Sequence, residues 1–259
     1  MLERLARGAG ERAPGAALIL ALLAAVEAGV RTGAVNAAVV PPPTRVAARI
    51  GEILAGGEFA GPLASTLWLL FAAYFAASAL AIGLGLLMGR YRAIDNLFEP
   101  LIELIRPLPK PALLPPLILF LGLGAPMKLV IVGLGVFFPV VINTVQGVRG
   151  VDPVLIDTAR TFGHRQRAIL LKVILPSALP FILAGMRVSL ALGLILAVIA
   201  EMLAGTGGLG YLVLDMQRSF KVVDMYAWLV LLAVLGYALN AGFGRVERRA
   251  AHWALARPD

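Results

Sequence analysis

The sequence predicts an all-α, polytopic membrane protein with about six transmembrane helices. Three observations support this prediction. The 259 residues are 60% hydrophobic and 15% charged, with a mean hydropathy of +0.89, whereas soluble domains are less apolar and more charged. The apolar residues form runs long enough to cross a bilayer. The Lys and Arg residues are concentrated in alternate segments between these runs, as expected for a membrane protein of fixed orientation.

Six apolar segments approach the roughly 20 residues that a helix needs to cross the hydrocarbon core. The first is short and carries Glu27 near its end. The third begins near Leu97, contains several prolines and continues into the apolar stretch LILFLGLG. The first, second, fourth, fifth and sixth predicted spans cover residues 16–30, 63–88, 128–148, 181–204 and 226–243.

The distribution of basic residues predicts the orientation of the chain. Most Lys and Arg residues precede the first span, follow the second, lie between the fourth and fifth, or follow the sixth. Such segments face the cytoplasm, so both termini and residues 149–180 are predicted to be cytoplasmic. The start of the chain, with Arg4, Arg7 and Arg12 before an apolar stretch, also fits a secretory signal peptide. Removal of such a peptide would delete one span and leave the orientation of the others unchanged.

These predictions divide the chain into three regions. Residues 1–62 comprise an N-terminal tail, the first span and an external loop. In this loop, Pro43 to Leu54 are predicted to form a short amphipathic helix at the membrane interface. Residues 63–249 form the transmembrane core, which includes the cytoplasmic loop 149–180, and residues 250–259 form a cytoplasmic tail.

The stretch DTARTFGHRQRAILLKVILPSALP, from Asp157 to Pro180, is unusually charged for this chain. A helix start precedes it, because Asp152 can accept from the free amides of a first turn and Pro153 suits the first helical position. Gly163 is a helix stop, because glycine adopts the left-handed conformation without strain. At about 1.5 Å per residue the helix between them is about 15 Å long, which is too short to span a membrane.

This short helix, PVLIDTARTF, is amphipathic, and an exposed apolar face on a capped helix indicates a docking surface for another protein. A second amphipathic helix, RQRAILLKVIL, follows, and Pro176 and Pro180 are expected to interrupt the chain before the next span. The alternative is an ordinary basic cytoplasmic loop. On the short helix, Val154, Leu155, Thr158, Ala159 and Phe162 are expected near one face, with Asp157 and Arg160 turned away from it.

Two charged residues are predicted inside the fifth span. Glu201 lies deep in the apolar stretch LALGLILAVIAEMLAG, where a charge costs roughly 2.5–3.5 kcal/mol. Two interpretations stay open: Glu201 lines a pathway or pairs with Arg187 or Arg106, or it accepts hydrogen bonds from amides of the following GTGG turn. Arg187 lies about two turns inside the cytoplasmic end, where its side chain can reach interfacial water.

The segment RPLPKPALLPP is the most irregular part of any predicted span. Non-helical backbone at membrane depth is tolerated only beside protein or a water-filled cavity. With Arg106 and Lys110 nearby, this segment is predicted to line an anion pathway between two subunits, and the alternative is a proline kink at the cytoplasmic interface. Asn143 and Gln146 are expected either to bind a solute or to form interhelical hydrogen bonds.

The sequence also excludes several kinds of chemistry. The chain has no Cys, so it has no disulfides or thiol-based metal sites, and His164 and His252 have no second ligand at metal spacing. It contains no G-x-x-x-x-G-K-[ST] phosphate loop, so ATP hydrolysis is expected only in another chain. No metal or other cofactor is predicted. Membrane orientation accounts for the net charge of +8, so no nucleic acid partner is predicted.

The charged segment resembles a known family. DTARTFG followed by VILPSALP is similar to the cytoplasmic EAA motif of the membrane subunits of binding-protein-dependent ABC importers. Further blocks, including IRPLPKPALLPPLILFLGLG and AEMLAGTGGLGYLV, are similar to nitrate-, sulfonate- and taurine-type permeases, so the resemblance covers about Val39 to Trp253. Asp157 and Thr158 stand where Glu and Ala are commonest in the motif.

The resemblance implies a type I ABC importer permease fold in the bacterial inner membrane. It further implies that the chain has no catalysis of its own and moves a small solute, an anion such as nitrate, a sulfonate or taurine, by alternating access. The implied partners are a second copy of the chain, two ATP-binding subunits, an extracytoplasmic substrate-binding protein and lipid. The implied ATPase-coupling residues are Leu155, Asp157, Thr158, Ala159, Arg160, Gly163, Leu175 and Pro176. The expected pathway residues are Arg106, Lys110, Asn143, Arg187 and Glu201.

A stand-alone secondary transporter or channel driven by an ion gradient is the alternative function. Such a protein would be expected to carry several intramembrane carboxylates or inverted repeats of broken helices. The sequence offers one carboxylate, Glu201, and one broken segment. A membrane-embedded enzyme is less consistent with the sequence, because two His residues and no Cys supply no nucleophile with its base and no metal cluster.

Overall fold

The computed structural model describes residues 2–252 and, in the first helix, the side chains of residues 14, 15 and 17 onward. All regular structure in this part of the chain is helical, as the sequence predicts. A 3-10 turn at Lys110–Leu113 precedes α5, and a π turn at Leu170–Ile174 joins α8 to α9. The α-helices are α1 (Leu2–Arg31), α2 (Pro43–Ala55), α3 (Ala60–Arg90), α4 (Arg92–Ile105), α5 (Leu114–Leu121), α6 (Ala125–Arg149), α7 (Pro153–Thr161), α8 (Gln166–Ile169), α9 (Leu175–Ala204), α10 (Leu209–Arg218) and α11 (Val222–Ala250).

Four helical segments are long and apolar enough to cross a membrane: α3, α6, the continuous stretch Gln166–Ala204, and α11. They correspond to the second, fourth, fifth and sixth predicted spans. A fifth crossing is formed if α4 and Lys110–Leu121, which meet at a bend of 92°, make one broken span, and this pair corresponds to the proline-rich third segment. The first predicted span lies within α1, part of whose side chains fall outside the described residues.

The chain divides into two compact units, and the first contains residues up to Ala60 together with Leu212–Leu232. In this unit α2 is the amphipathic helix that the sequence predicts, with Val46 and Ile53 buried. Arg49 donates from Nε to Asp224 at 2.7 Å. This hydrogen bond raises the pKa of the Arg49 guanidinium, so the side chain stays charged and holds α2 to the start of α11.

The second unit contains Gly61–Tyr211 and the residues from Ala233 onward. Its core lies between α6 and α9, where small residues let the two backbones approach closely. A Cβ atom added at Gly185 of α9 would lie 2.7 Å from the Cβ of Asn143 on α6. Valines of α6, including Val132, Val136 and Val140, are completely buried there. The tight contact makes α6 and α9 a scaffold for the segments attached to their ends.

The predicted interruption before the fifth span is wrong. The chain from Gln166 to Ala204 is one continuous helical stretch, and Pro176 and Pro180 lie inside it. A proline removes one N–H donor, and its ring crowds the carbonyl four residues earlier. For Pro176 that carbonyl belongs to Lys172, which lies in the π turn. A π turn is wider than an α turn, so it accommodates the proline without a break.

Candidate functional site

The loop of residues 150–165, which the sequence predicts to be cytoplasmic and to dock another protein, is here called the docking loop. It has the local structure that the sequence predicts. The Asp152 side chain accepts from the amide of Val154 at 2.8 Å and caps α7. Gly163 has φ +76°, in the left-handed region where residues with a Cβ are strained. Its amide donates to the Arg160 carbonyl at 2.9 Å, which ends the helix as expected for a glycine stop.

The faces of α7 differ in part from the prediction. Ala159 is 7% exposed and packs in a cluster with Val148, Val151 and Ile174, so it points toward the protein and not toward the predicted docking face. The reason is that the docking loop folds back onto the ends of α6 and α9. Val154, Leu155 and Phe162 are the exposed apolar residues, and Phe162 is 78% exposed.

The remaining predicted coupling residues fall into two groups. Asp157 and Arg160 are exposed and form an ion pair at 2.8 Å. Thr158 is also exposed, and its hydroxyl donates to the Val154 carbonyl within α7 at 2.7 Å. The two departures from the EAA motif are thus accommodated locally. Leu175 and Pro176 are half-buried at the start of α9, where Leu175 packs against the cluster that contains Ala159.

At the other end of α9, both carboxylate oxygens of Glu201 have hydrogen-bond partners. Its side chain is 2% exposed, and both carboxylate oxygens accept from the Thr66 hydroxyl, at 2.9 and 3.0 Å. The Gly210 amide donates to Oε2 at 2.9 Å, and the Leu209 amide donates to the Thr66 oxygen at 2.9 Å. Of the two sequence interpretations, the contacts are closer to the one with backbone amides, although the amide that binds Glu201 belongs to Gly210, two residues after the GTGG turn, and the Leu209 amide binds Thr66 instead. Its hydrogen-bond partners do not include Arg187 or Arg106.

Sequence reasoning missed Thr66 and the cavity beside Glu201. Glu201 lines a cavity of about 520 Å³ together with Lys128, Trp68 and Thr206. Gly208, with φ +97°, lies directly against the Glu201 carboxylate, and a side chain there would collide with it. The predicted topology contains a signal for Thr66, because Ser65 and Thr66 are adjacent hydroxyl residues near the external end of the second predicted span, and Glu201 lies near the external end of the fifth. Three chain segments therefore meet around one buried carboxylate.

Arg187 links α9 to α11 within the second unit. Its Nη1 donates to Glu247 at 3.2 Å and its Nε donates to Asn240 at 3.3 Å. The side chain is about half exposed. The structure thus adds a specific ion pair to the snorkelling geometry expected from the sequence.

The broken segment places two basic residues at one cavity. Arg106 pairs with Glu103 at 2.9 Å. Lys110 Nζ donates to the carbonyls of Ile105, Arg106 and Leu108 at 3.0, 2.8 and 2.9 Å. Its ammonium group therefore caps the C-terminal end of α4. Arg106 and Lys110 line a cavity of about 420 Å³ whose other walls, including Phe138, are mostly apolar. Asn143 donates to the Pro139 carbonyl of its own helix at 2.8 Å, an intrahelical bond in place of the expected interhelical one.

The chain is similar to known transport proteins. Residues 81–252 match the family described as binding-protein-dependent transport system inner membrane component. TauC of Escherichia coli, a taurine transport system permease protein, is 33% identical over 218 residues, which cover 82% of this chain and 79% of TauC. SsuC of Bacillus subtilis, a permease protein named for aliphatic sulfonate transport, is 31% identical over 221 residues, covering 85% of this chain and 80% of SsuC.

A solved structure of the MetNI methionine ABC transporter in an inward-facing conformation shares the fold. The match has a TM-score of 0.63 at 21% identity and covers 71% of this chain and 92% of the matched chain. The type I permease fold expected from the sequence is therefore confirmed.

Proposed function

Because the chain belongs to the family of binding-protein-dependent transport system inner membrane components, we propose that α7 is the surface on which a separate ATPase docks. Membership of this family makes the chain the permease subunit of an ABC importer and a multi-pass protein of the bacterial inner membrane. It works with an ATPase and a substrate-binding protein. The family favours this function over a stand-alone secondary transporter.

The observation that carries the docking proposal is the exposure of apolar side chains on a short, capped helix. Val154, Leu155 and Phe162 are exposed in a loop predicted to be cytoplasmic, and α7 is too short to cross a membrane. Ala159 fastens the opposite face of α7 to the cluster at the ends of α6 and α9. A helix that is fixed on one face and apolar on the other is suited to transmit movement of a partner bound to it. ATP hydrolysis itself takes place in that partner.

Two copies of the chain enclose the pathway in this proposal, and each copy binds one ATPase subunit. The transported solute is a small anion, with sulfonates and taurine as first candidates. The relatives SsuC and TauC support this solute class through the transport for which they are named. The cavity with Arg106 and Lys110 supports it through charge, since two basic residues meet an otherwise apolar lining there.

The proposal is tested by reconstituting the chain in proteoliposomes with its ATPase and binding protein. We expect the ATPase to co-purify with the chain and binding protein loaded with taurine to stimulate both ATP hydrolysis and uptake. Arg106→Gln should reduce uptake more than assembly, because its charge faces the cavity. Uptake that follows an imposed ion gradient and ignores ATP would contradict the proposed function.

A further inference from the structure

The corner between α3 and α4, residues 90–95, is bonded to both ends of the docking loop. Arg149 is the last residue of α6 and directly precedes the loop, and its guanidinium forms an ion pair with Asp95 of α4. Gln166 directly follows the loop, and its Oε1 accepts from Arg90 Nη2 at 2.6 Å. The α3–α4 corner thus binds both the residue directly before the docking loop and the residue directly after it.

In the Asp95–Arg149 ion pair the carboxylate is buried, while the Arg149 side chain is about half exposed. Asp95 is 7% exposed, and among the described residues its Oδ1 atom has no hydrogen-bond partner, so Arg149 is its main compensation. A buried carboxylate that loses its only cationic partner is strongly destabilised, whereas removal of both charges is often tolerated. The geometry of Asp95 therefore depends on where the end of α6 holds Arg149.

Close packing joins the same corner to the helix that carries the docking loop. A Cβ atom added at Gly89 of α3 would lie 2.6 Å from the Cβ of Val148 on α6, and one at Gly85 would lie 2.6 Å from the Cβ of Thr144. Val148 also belongs to the cluster that buries Ala159 of α7. A continuous set of contacts therefore runs from α7 through the end of α6 to the corner.

The opposite end of α4 leads to the predicted pathway. Lys110 holds the last carbonyls of α4, and Arg106 follows α4 directly. Both side chains line the cavity of about 420 Å³. α4 is one continuous helix of 14 residues with Pro100 inside it, and a tilt of a continuous helix at the corner displaces the basic residues at its other end.

We infer that the α3–α4 corner relays movement of α7 to the bent segment, and that Asp95 and Arg149 are positioning residues for this relay. The inference rests on the proposed function, since it requires α7 to be the docking helix. It is supported by the two side-chain contacts to the residues that flank the docking loop, and by the close packing of α3 on α6. Together these contacts form a contiguous network of the kind that carries coupling between sites. Neither residue touches the solute.

The test compares Asp95→Asn, Arg149→Gln and the double variant in proteoliposomes with the ATPase and binding protein. We expect each to retain the ATPase and to hydrolyse ATP, while taurine uptake per ATP falls about tenfold, within the usual range of coupling effects. The double variant separates two roles. If the pair serves only to neutralise buried charge, the double variant returns to the wild-type ratio, and that result overturns the inference. An uncoupled double variant supports it.

Two controls complete the experiment. Arg149→Lys keeps the cation and is expected to retain most of the uptake per ATP. Glu99→Gln removes an exposed carboxylate one turn further along α4, which lines two surface clefts together with Asp95 and Arg149. Its uptake per ATP should stay within about twofold of wild type, because surface charges usually contribute little. An equal loss in Glu99→Gln would contradict a specific role for Asp95. If the wild-type chain fails to retain the ATPase, the proposed function fails first, and the inference fails with it.

Discussion

The two ends of α9 differ in whether the side chains near them find partners within the chain. At the end near Ala204, the buried carboxylate of Glu201 accepts hydrogen bonds from Thr66 and Gly210, and these partners belong to the same chain. At the other end, the docking loop leaves the side chains of Leu155 and Phe162 exposed. The hydrogen bonds of the first region are formed within the chain, whereas the second region is the proposed docking surface, whose apolar side chains need a partner to bury them.

The difference distinguishes a structural site, whose polar groups have hydrogen-bond partners within the chain, from the proposed docking site, whose apolar side chains stay exposed. Intramembrane carboxylates and exposed apolar helices both stand out in a sequence, because each is costly in isolation. The contacts decide which one serves the fold. We therefore expect changes near Glu201 to alter stability and changes in the docking loop to alter coupling.

Gly163→Val should have the largest effect on coupling. Gly163 has φ +76° and open space around it, so the cost of the substitution is the left-handed backbone, roughly 1–2 kcal/mol for a residue with a Cβ. We expect ATP-coupled uptake in proteoliposomes to fall about 30-fold if that strain redirects the loop. Gly163→Asn is the matched control, because Asn tolerates this conformation. Equal uptake in the Val and Asn variants would rule out a conformational role for Gly163.

Phe162→Ser should have the next largest effect. Burial of a Phe side chain against a partner contributes about 1.5–3 kcal/mol, so we expect retention of the ATPase on the purified permease to weaken about tenfold. The control is Phe220→Ser, which removes a comparably exposed ring on the predicted external side. If both variants retain the ATPase equally, the exposed ring of α7 is not part of the docking surface.

Thr66→Val should affect stability with little change in coupling. Loss of the hydroxyl leaves the Glu201 carboxylate and the Leu209 amide with fewer partners in a buried site, at a cost of about 1–3 kcal/mol. Thermal unfolding of the detergent-purified permease should shift to lower temperature, and uptake per ATP should stay within about threefold. Thr66→Ser keeps the hydroxyl and should unfold close to wild type. A strongly uncoupled but stable Thr66→Val protein would move Glu201 into the transport mechanism.

Thr158→Ala should have the smallest effect. Among the described residues, the Thr158 hydroxyl bonds to the Val154 carbonyl of its own helix, and such bonds inside a helix add little stability. We expect ATPase retention to change less than about twofold, since Ala is a slightly better helix former. A large loss would mean that the hydroxyl contacts the ATPase directly.

Local rules were sufficient for much of the fold. The apolar runs predicted the long helices, and Asp152 and Gly163 predicted the start and end of α7, because capping depends on neighbouring residues only. The same holds for α2, whose amphipathic pattern is complete within 13 residues.

Tertiary contacts limited the rest of the prediction. The Thr66 partner of Glu201 and the Arg149 partner of Asp95 lie far away in sequence, and no local pattern connects these pairs. The prediction for Ala159 is wrong because its burial depends on tertiary packing of the docking loop against α6 and α9, which a helical pattern does not encode. Pro176 resembles a helix break in the sequence because the π turn before it has no strong sequence signal.

The most direct test of the central claim, that a cytoplasmic ATPase binds α7, uses the absence of native Cys. In membrane vesicles, Phe162→Cys and Phe220→Cys each provide a single thiol for a membrane-impermeant maleimide. We predict that Phe162→Cys is labelled only from the cytoplasmic side and is protected when the ATPase is added, while Phe220→Cys is labelled from the outside with no change on adding ATPase. Labelling of Phe162→Cys from the outside, or undiminished labelling with the ATPase bound, would contradict the account.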